Sequence, residues 1–278
     1  MIASELNPLA ARSLLGLLES STGQQLVSGR RWRIEIALQP IMRAHGFASL
    51  DQLAGVAAHP AAHALRDEVV EALLNHETSF FRDLAIFRGL DADGLATIAG
   101  RRERTRRLRI WSAGCSTGQE VYSLALLLAA APERWADWTV EILGSDVSPA
   151  AIAQAREGLF SQFEVQRGLP IGQLLACFDP EGEAWRIKPA LKSRVTFRIH
   201  NLLEAPPAGL FDIILCRNVL LYFSAERRRK VLDRIADAIA PDGLLMLGAG
   251  ETLLGQADAF EPDPLLRGLY RPRIAAGV

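Results

Sequence analysis

From Arg109 onward, short apolar runs alternate with stretches of helical length, and this alternation constrains the fold more than any other feature. RIWSA (109–113) reads as a strand and VYSLALLLAA (121–130) as a helix. WTVEILGSD (138–146) is a second strand. The helix after it opens on Ser148-Pro149, an N-cap serine with proline at the first helical position. VTFRIHN (195–201), FDIILCRN (211–218) and GLLMLGAG (243–250) are further strands, with a helix over 225–240 before the last. Strand–helix alternation of this kind predicts an α/β fold, a mostly parallel sheet with helices on both faces.

The first ninety residues have a different texture. Leu65, Val69 and Leu73 recur at the four-residue spacing of a helix face, and no run there reads as a strand. Gly23, Gly29, Gly46 and Gly55 fall at intervals that suit short helices. The reading is a helical domain over 1–90, a linker over 91–108 and an α/β domain over 109–278. Within the latter, 161–194 interrupts the rhythm. It holds turn signals at Asp179-Pro180 and Glu181-Gly182 and a short strand, AWRIK, which together predict an inserted β-containing subdomain.

Composition excludes several functions. A chain of 278 residues with 49% hydrophobic and 23% charged residues can bury a large core. Thirty-one Lys and Arg against 32 Asp and Glu give a net charge of −1, which argues against nucleic acid as a partner. Six arginines between Arg101 and Arg109 have no interleaved aromatics and read as a basic linker on an acidic surface. The longest apolar stretch, 121–132, is shorter than the roughly 20 residues of a membrane span. The N-terminus carries Glu5 and no basic region, unlike a signal peptide, so the expected location is cytoplasmic. Cys115, Cys177 and Cys216 form no CxxC pair, which suits a reducing compartment and offers no metal site.

The most informative string is IWSAGCSTGQEVYSLAL, 110–126, in which a strand runs through Gly114 and Gly118 directly into a helix. The spacing is not the dinucleotide fingerprint G-x-G-x-x-G. It does satisfy G-x-S-x-G, the nucleophile elbow of α/β-hydrolases, with Ser116 as nucleophile. A hydrolase needs a histidine after its acid late in the chain. Only His200 follows Ser116, with further strands still to come. The next strand instead ends in Asp146, placed where dinucleotide folds hold ribose hydroxyls. Loop and acid together point to a nucleoside-containing cofactor, either NAD or S-adenosylmethionine.

Four blocks then bear on that choice: ETSFFRD (77–83), WSAGCSTGQEVYS (111–123), EILGSDVSP (141–149) and LCRNVLLYF (215–223). In this order and at these distances the chain resembles the CheR-type chemotaxis receptor methyltransferases over nearly its whole length. The resemblance implies a class I methyltransferase fold. It also implies transfer of the methyl group of S-adenosylmethionine to glutamate carboxylates on the cytoplasmic helical region of chemoreceptors, leaving S-adenosylhomocysteine. By match to these motifs, Thr78 and Arg82 contact the cofactor, Glu120 its methionine portion and Asp146 its ribose. Asn201 and Leu202 lie by the adenine, with Gly114 in the loop and Arg217 and Asn218 closing the site. Arg82 and Tyr222 are the candidates nearest the chemistry. His76 stands where the family usually has Asn, with Asn75 one step out of register. That departure leaves open an alternative, a non-catalytic cofactor- or receptor-binding signalling module of the same fold. Arg30, Arg31 and Arg33 match the region with which the family approaches acidic receptor rods.

Overall fold

The computed structural model describes residues 7–26, 31–253, 258–266 and 268–273. Its contacts divide the chain into two units: one reaches Asn75 and includes Tyr222–Arg227, the other holds His76–Leu221 and the chain from Arg228.

The first unit contains α1 (Pro8–Thr22), α2 (Arg31–His45), α3 (Leu50–Ala57) and α4 (His63–Leu73). Asn7 caps α1 by accepting from the Leu9 N–H, and Gly23 ends it at φ +78°, a left-handed conformation open to glycine. Leu65, Val69 and Leu73 form the buried stripe of α4 and pack with Leu14, Leu18, Leu38 and Leu53. Gly46 follows α2 at φ +71° as expected of a terminator, but Gly55 lies inside α3. Gly29 and Arg30 fall outside the described residues, Arg31 opens α2, and Arg33 is half-buried on it. The later segment joins this unit through the Gln25 N–H, which donates to the Tyr222 carbonyl at 2.6 Å, and through an Arg227–Glu19 ion pair.

In the second unit, helices occupy the end of the expected helical domain and much of the expected linker over 91–108. α5 (Leu84–Gly89), a π-helical turn (Leu90–Gly94) and α6 (Leu95–Arg101) run without a break. Leu90, Leu95 and Ile98 are buried in the core of this unit. The division therefore falls after Asn75 and not at 90, because buried side chains at 90, 95 and 98 tie the end of the expected helical domain and the start of the expected linker to the sheet unit. The basic run that follows is spent on acids: Arg102 reaches Asp212 at 2.6 Å and also pairs with Asp242, Arg106 pairs with Asp137, and Arg107 and Arg109 both hold Glu141.

The sheet then builds from β1 (Arg107–Ala113), α7 (Gln119–Ala129), α8 (Pro132–Trp135), β2 (Thr139–Asp146) and α9 (Pro149–Glu157). The insert supplies β3 (Leu159–Ser161), α10 (Gln162–Gln166), α11 (Ile171–Cys177), β4 (Phe178–Glu181), β5 (Ala184–Ile187) and α12 (Pro189–Lys192). After it come β6 (Val195–Ile199), β7 (Phe211–Leu215), α13 (Ala225–Ala238), β8 (Ile239–Met246), β9 (Phe260–Pro262) and β10 (Leu269–Pro272). The main sheet has the order β6-β2-β1-β7-β8-β10-β9, parallel except where β10 runs antiparallel to β8 and β9. This is the class I methyltransferase arrangement. β7 is buried at all five positions, so both faces of the sheet are covered.

In the insert, β3, β5 and β4 form an antiparallel sheet, and Ser161 with Glu164 makes a capping box at the start of α10. Asp179-Pro180, read as a turn, lies within β4; the reversal comes at Gly182, φ +61°. Neither β3 nor the β9–β10 pair was expected, each being only three or four residues long.

Candidate functional site

Strand order reverses at β1, between β2 and β7, and in open α/β sheets the crevice at such a switch point, by the strand carboxyl ends, takes the ligand. Here β1 gives way to Gly114 at φ +86°, Ser116 at +49° and Gly118 at +95° before α7 begins. A β-carbon on Gly118 would stand 2.9 Å from that of Ala155, so close packing of the loop on α9 requires glycine. The loop is tied to β2: the Gly114 and Cys115 N–H groups donate to the Ser145 carbonyl at 2.8 and 2.9 Å. Asp146 accepts from the Ser116 N–H at 2.8 Å and from the Ser148 N–H at 3.0 Å. The Ser116 hydroxyl donates to the His76 carbonyl at 2.9 Å, and His200 Nε2 lies 2.9 Å from the Ala205 carbonyl. Neither group is arranged for nucleophilic catalysis.

A buried ionic cluster sits beside this loop. Glu120, in the first turn of α7, accepts from the Ser112 hydroxyl and from Arg217 Nη1, both at 2.8 Å. Arg217 Nη2 donates to Asp83 at 2.9 Å and to the Arg82 carbonyl at 2.6 Å, while the guanidinium lies 5.1 Å from the Phe87 ring centre. The Arg217 side chain is only 1% exposed. Asp83, held at φ +59°, accepts a further bond from the Ala249 N–H at 3.1 Å. Glu251 accepts from the N–H groups of Asn218 and Gly248 at 2.7 and 3.0 Å, which fixes Asn218 at φ +57°. Residues from the ends of β1, β7 and β8 are thereby gathered around α7.

The ETSFFRD segment is positioned by its two phenylalanines. Phe80 inserts edge-on among Phe160 and Phe178 of the insert, with ring centres 5.1 and 5.7 Å away. The Phe81 N–H donates to the Ser123 hydroxyl on α7 at 2.9 Å, and its ring meets Phe87. Thr78 and Arg82 flank these anchors, both half-buried, and Arg82 donates to the Glu77 carbonyl at 2.6 Å.

Of the residues expected at the site, Glu120 and Arg217 are bonded directly, Asp146 and His76 meet through Ser116, and Gly114 and Asn218 belong to the same loops. Asn201 and Leu202 follow β6, whose end is tied to β2 by the His200 N–H donating to the Asp146 carbonyl at 2.8 Å. Tyr222 belongs to the first unit, where its hydroxyl accepts from the Asn75 side chain. Sequence reasoning missed Ser112, Asp83 and Glu251, which support the other side chains. Only Asp83 left a signal, as an acid directly after Arg82. The thiols of Cys115 and Cys216 are pushed well above the usual cysteine range, chiefly by burial and then by nearby carboxylates, so both are inert packing groups.

Residues 76–266 match the family described as CheR methyltransferase, SAM binding domain. The chain belongs to the CheR methyltransferase family. The chemotaxis protein methyltransferase Cher2 of Pseudomonas putida is 35% identical over 250 residues, covering 88% of this chain and 90% of that one. Chemotaxis protein methyltransferase 1 of Pseudomonas aeruginosa is 36% identical over 249 residues, again 88% and 90% of the two chains. A chemotaxis protein methyltransferase of Vibrio parahaemolyticus is 33% identical over 265 residues, 94% of this chain and 95% of that one. This CheR methyltransferase is an enzyme whose cofactor is S-adenosylmethionine. That cofactor carries two positive groups, a sulfonium and an ammonium, against one carboxylate. The site suits it, since Asp83 and Glu120 share one guanidinium and Asp146 adds a third carboxylate at the end of β2, while Arg217 Nε is buried without a hydrogen-bond partner in the protein. Among the described residues no helix is long and apolar enough to cross a membrane, and none of the His, Cys, Asp and Glu side chains group into a metal site.

Proposed function

We propose that this CheR methyltransferase acts in the cytoplasm and esterifies glutamate side chains on the helical cytoplasmic region of chemoreceptors, for chemosensory adaptation. The observation that carries the reading is the acidic cluster at the switch point, which matches a cationic cofactor and leaves no general base in need of a role. A glutamate with a pKa of about 4.3 is already a nucleophilic carboxylate at neutral pH, so no proton has to be removed before attack. When bound, S-adenosylmethionine supplies an electrophilic methyl group on a sulfonium.

What remains for the protein is binding, alignment and exclusion of water, which together account for about 7–11 kcal/mol of such a barrier. Glu120 is assigned to the ammonium of the methionine portion. Asp146, at the carboxyl end of β2 by the switch point, is assigned to the ribose. Asn201 and Leu202 are assigned to the adenine, and Gly114 to close backbone approach. His76, Thr78 and Arg82 close the site from the segment before α5, with Arg217 and Asn218 behind it. Tyr222 is assigned to orienting the acceptor carboxylate, and Arg82 to gripping a carboxylate of cofactor or substrate. The helical unit, with Arg33, is assigned to meeting the acidic receptor rod, where opposite charge raises the encounter rate.

The test is incubation of radiolabelled cofactor with receptor-containing membranes. Label released by base as methanol supports ester formation. Tight cofactor binding with no transfer would instead make the protein a signalling module.

A further inference from the structure

We infer that Asp83 is a positioning residue for the cofactor site, acting through Arg217 on Glu120. The inference rests on the reading above in which Glu120 meets the methionine portion of the cofactor. Three observations carry it. Asp83 holds Arg217 Nη2 at 2.9 Å while the other terminal nitrogen, Nη1, holds Glu120 at 2.8 Å, so one rigid guanidinium spans the two carboxylates. The Arg217 side chain is 1% exposed, against 27% for Asp83 and 11% for Glu120, so the pairing is fixed at its buried centre and the two acids extend toward solvent. Asp83 adopts a left-handed backbone at φ +59° and also accepts the Ala249 N–H, so it bridges the segment before α5 to the loop after β8.

A planar fork gripped at both ends has little freedom to turn, and this geometry sets where the carboxylate of Glu120 stands. Ser112 fixes the second oxygen of Glu120 from β1. With Asp83 present, Arg217 divides its charge between two acids, leaving Glu120 partly uncompensated and able to receive an ammonium. Without it, Nη2 keeps only the neutral Arg82 carbonyl, and Glu120 becomes the sole acid paired with the guanidinium and is neutralised by it. Asp83 thus tunes both the position and the available charge of Glu120 without touching the cofactor.

The experiment measures the dissociation constant of S-adenosylhomocysteine, and of S-adenosylmethionine, by calorimetry on the full chain carrying Asp83→Asn, Glu120→Gln or both. Asp83→Asn is expected to weaken binding about ten- to a hundredfold, the range for one charge-assisted hydrogen bond. It should raise KM for the cofactor by the same factor and leave kcat within about threefold, since the residue does not act in the transition state alone. In the Glu120→Gln background the added loss from Asp83→Asn should shrink to under about threefold, because the two act as one unit. Asp83→Glu keeps the charge and should restore part of the affinity; if Asp83→Asn does not fold, Asp83→Glu carries the test, with a smaller weakening expected. Unchanged affinity in the Asp83 variants, with Glu120→Gln weakened, overturns the inference alone. Unchanged affinity in Glu120→Gln overturns the assignment of Glu120 and the inference with it. Full additivity in the double variant assigns Asp83 a separate structural role and also refutes the inference.

Discussion

Gly168→Ala tests whether the insert positions the ETSFFRD segment. Gly168 has φ +89°, and a β-carbon there would stand 2.1 Å from the Phe80 carbonyl oxygen, a backbone atom with no side-chain freedom to move aside. Real contacts of this type stay beyond about 3 Å, so the two backbones must part by about 0.9 Å. The left-handed conformation costs an L-residue about 1–2 kcal/mol, and the forced separation about 1–3 kcal/mol more. Together these give a loss of about 3 kcal/mol. At about 2–4 °C per kcal/mol for a unit of this size, the melting temperature should fall by about 6–12 °C. The displaced carbonyl belongs to Phe80, whose ring is locked between Phe160 and Phe178, so relief must pass along the chain to Thr78 and Arg82. Cofactor affinity should therefore fall about tenfold or more, as expected of a misplacement approaching 1 Å. The assay pairs thermal melts with calorimetric titration of S-adenosylhomocysteine. A variant with unchanged affinity, whatever its melting temperature, refutes the coupling of insert to site. One that also melts like the wild type refutes the close approach itself.

Further outcomes follow from the same geometry. Asp146→Ala should weaken cofactor binding at least about tenfold and cost about 1–2 kcal/mol of stability, because the Ser116 and Ser148 amides lose their acceptor; calorimetry and melts separate the two effects. Tyr222→Phe should lower kcat about tenfold, the equivalent of 1.4 kcal/mol of orientation, and unchanged turnover would remove the hydroxyl from the mechanism. Asp242 is held below the usual carboxylate range by its hydrogen bond to Arg102, so the stability it adds is present above about pH 4 and lost as pH falls further. Asp242 is half exposed, so Asp242→Asn should cost about 0.5 kcal/mol at pH 7 after screening and should flatten part of the decline in melting temperature under acid. Thiol labelling of the native protein at pH 8 should reach Cys177 first, with Cys115 and Cys216 reacting only on unfolding; fast labelling of either buried thiol contradicts the packing described.

Much of the sheet was legible because its strands are apolar runs bounded by turn residues. β7 is buried at every position and so reads as an unbroken FDIIL. The four-residue spacing of Leu65, Val69 and Leu73 likewise marked α4. The linker read over 91–108 rested on small and then basic residues, whereas the helix that runs to Arg101 is held by the buried side chains of Leu95 and Ile98. β9 and β10 were invisible since strands this short acquire their identity from pairing, β10 with β8 and β9 with β10, and not from local pattern. At the site, the loop and Asp146 were readable from their place after strands. The supporting set of Ser112, Asp83 and Glu251 was not, because what marks these residues is a partner brought in by the fold: Glu120 for Ser112, Arg217 for Asp83 and the Asn218 N–H for Glu251. Ser116 engages the His76 carbonyl, a group that any residue would provide, so no side-chain pattern marks that contact.

The return of Tyr222–Arg227 to the helical unit has a consequence for biosynthesis. The helices up to Asn75 leave the ribosome early, but the segment that pairs with Gln25 and Glu19 is synthesised roughly 150 residues later, about 7–30 s at ordinary elongation rates. During that interval the nascent helical bundle lacks one of its own pieces, and the whole α/β unit up to Leu221 must emerge before the bundle can close. Variants that slow folding of the later unit should therefore extend the time that the earlier one spends incomplete, with aggregation rising even where the finished protein is as stable as before.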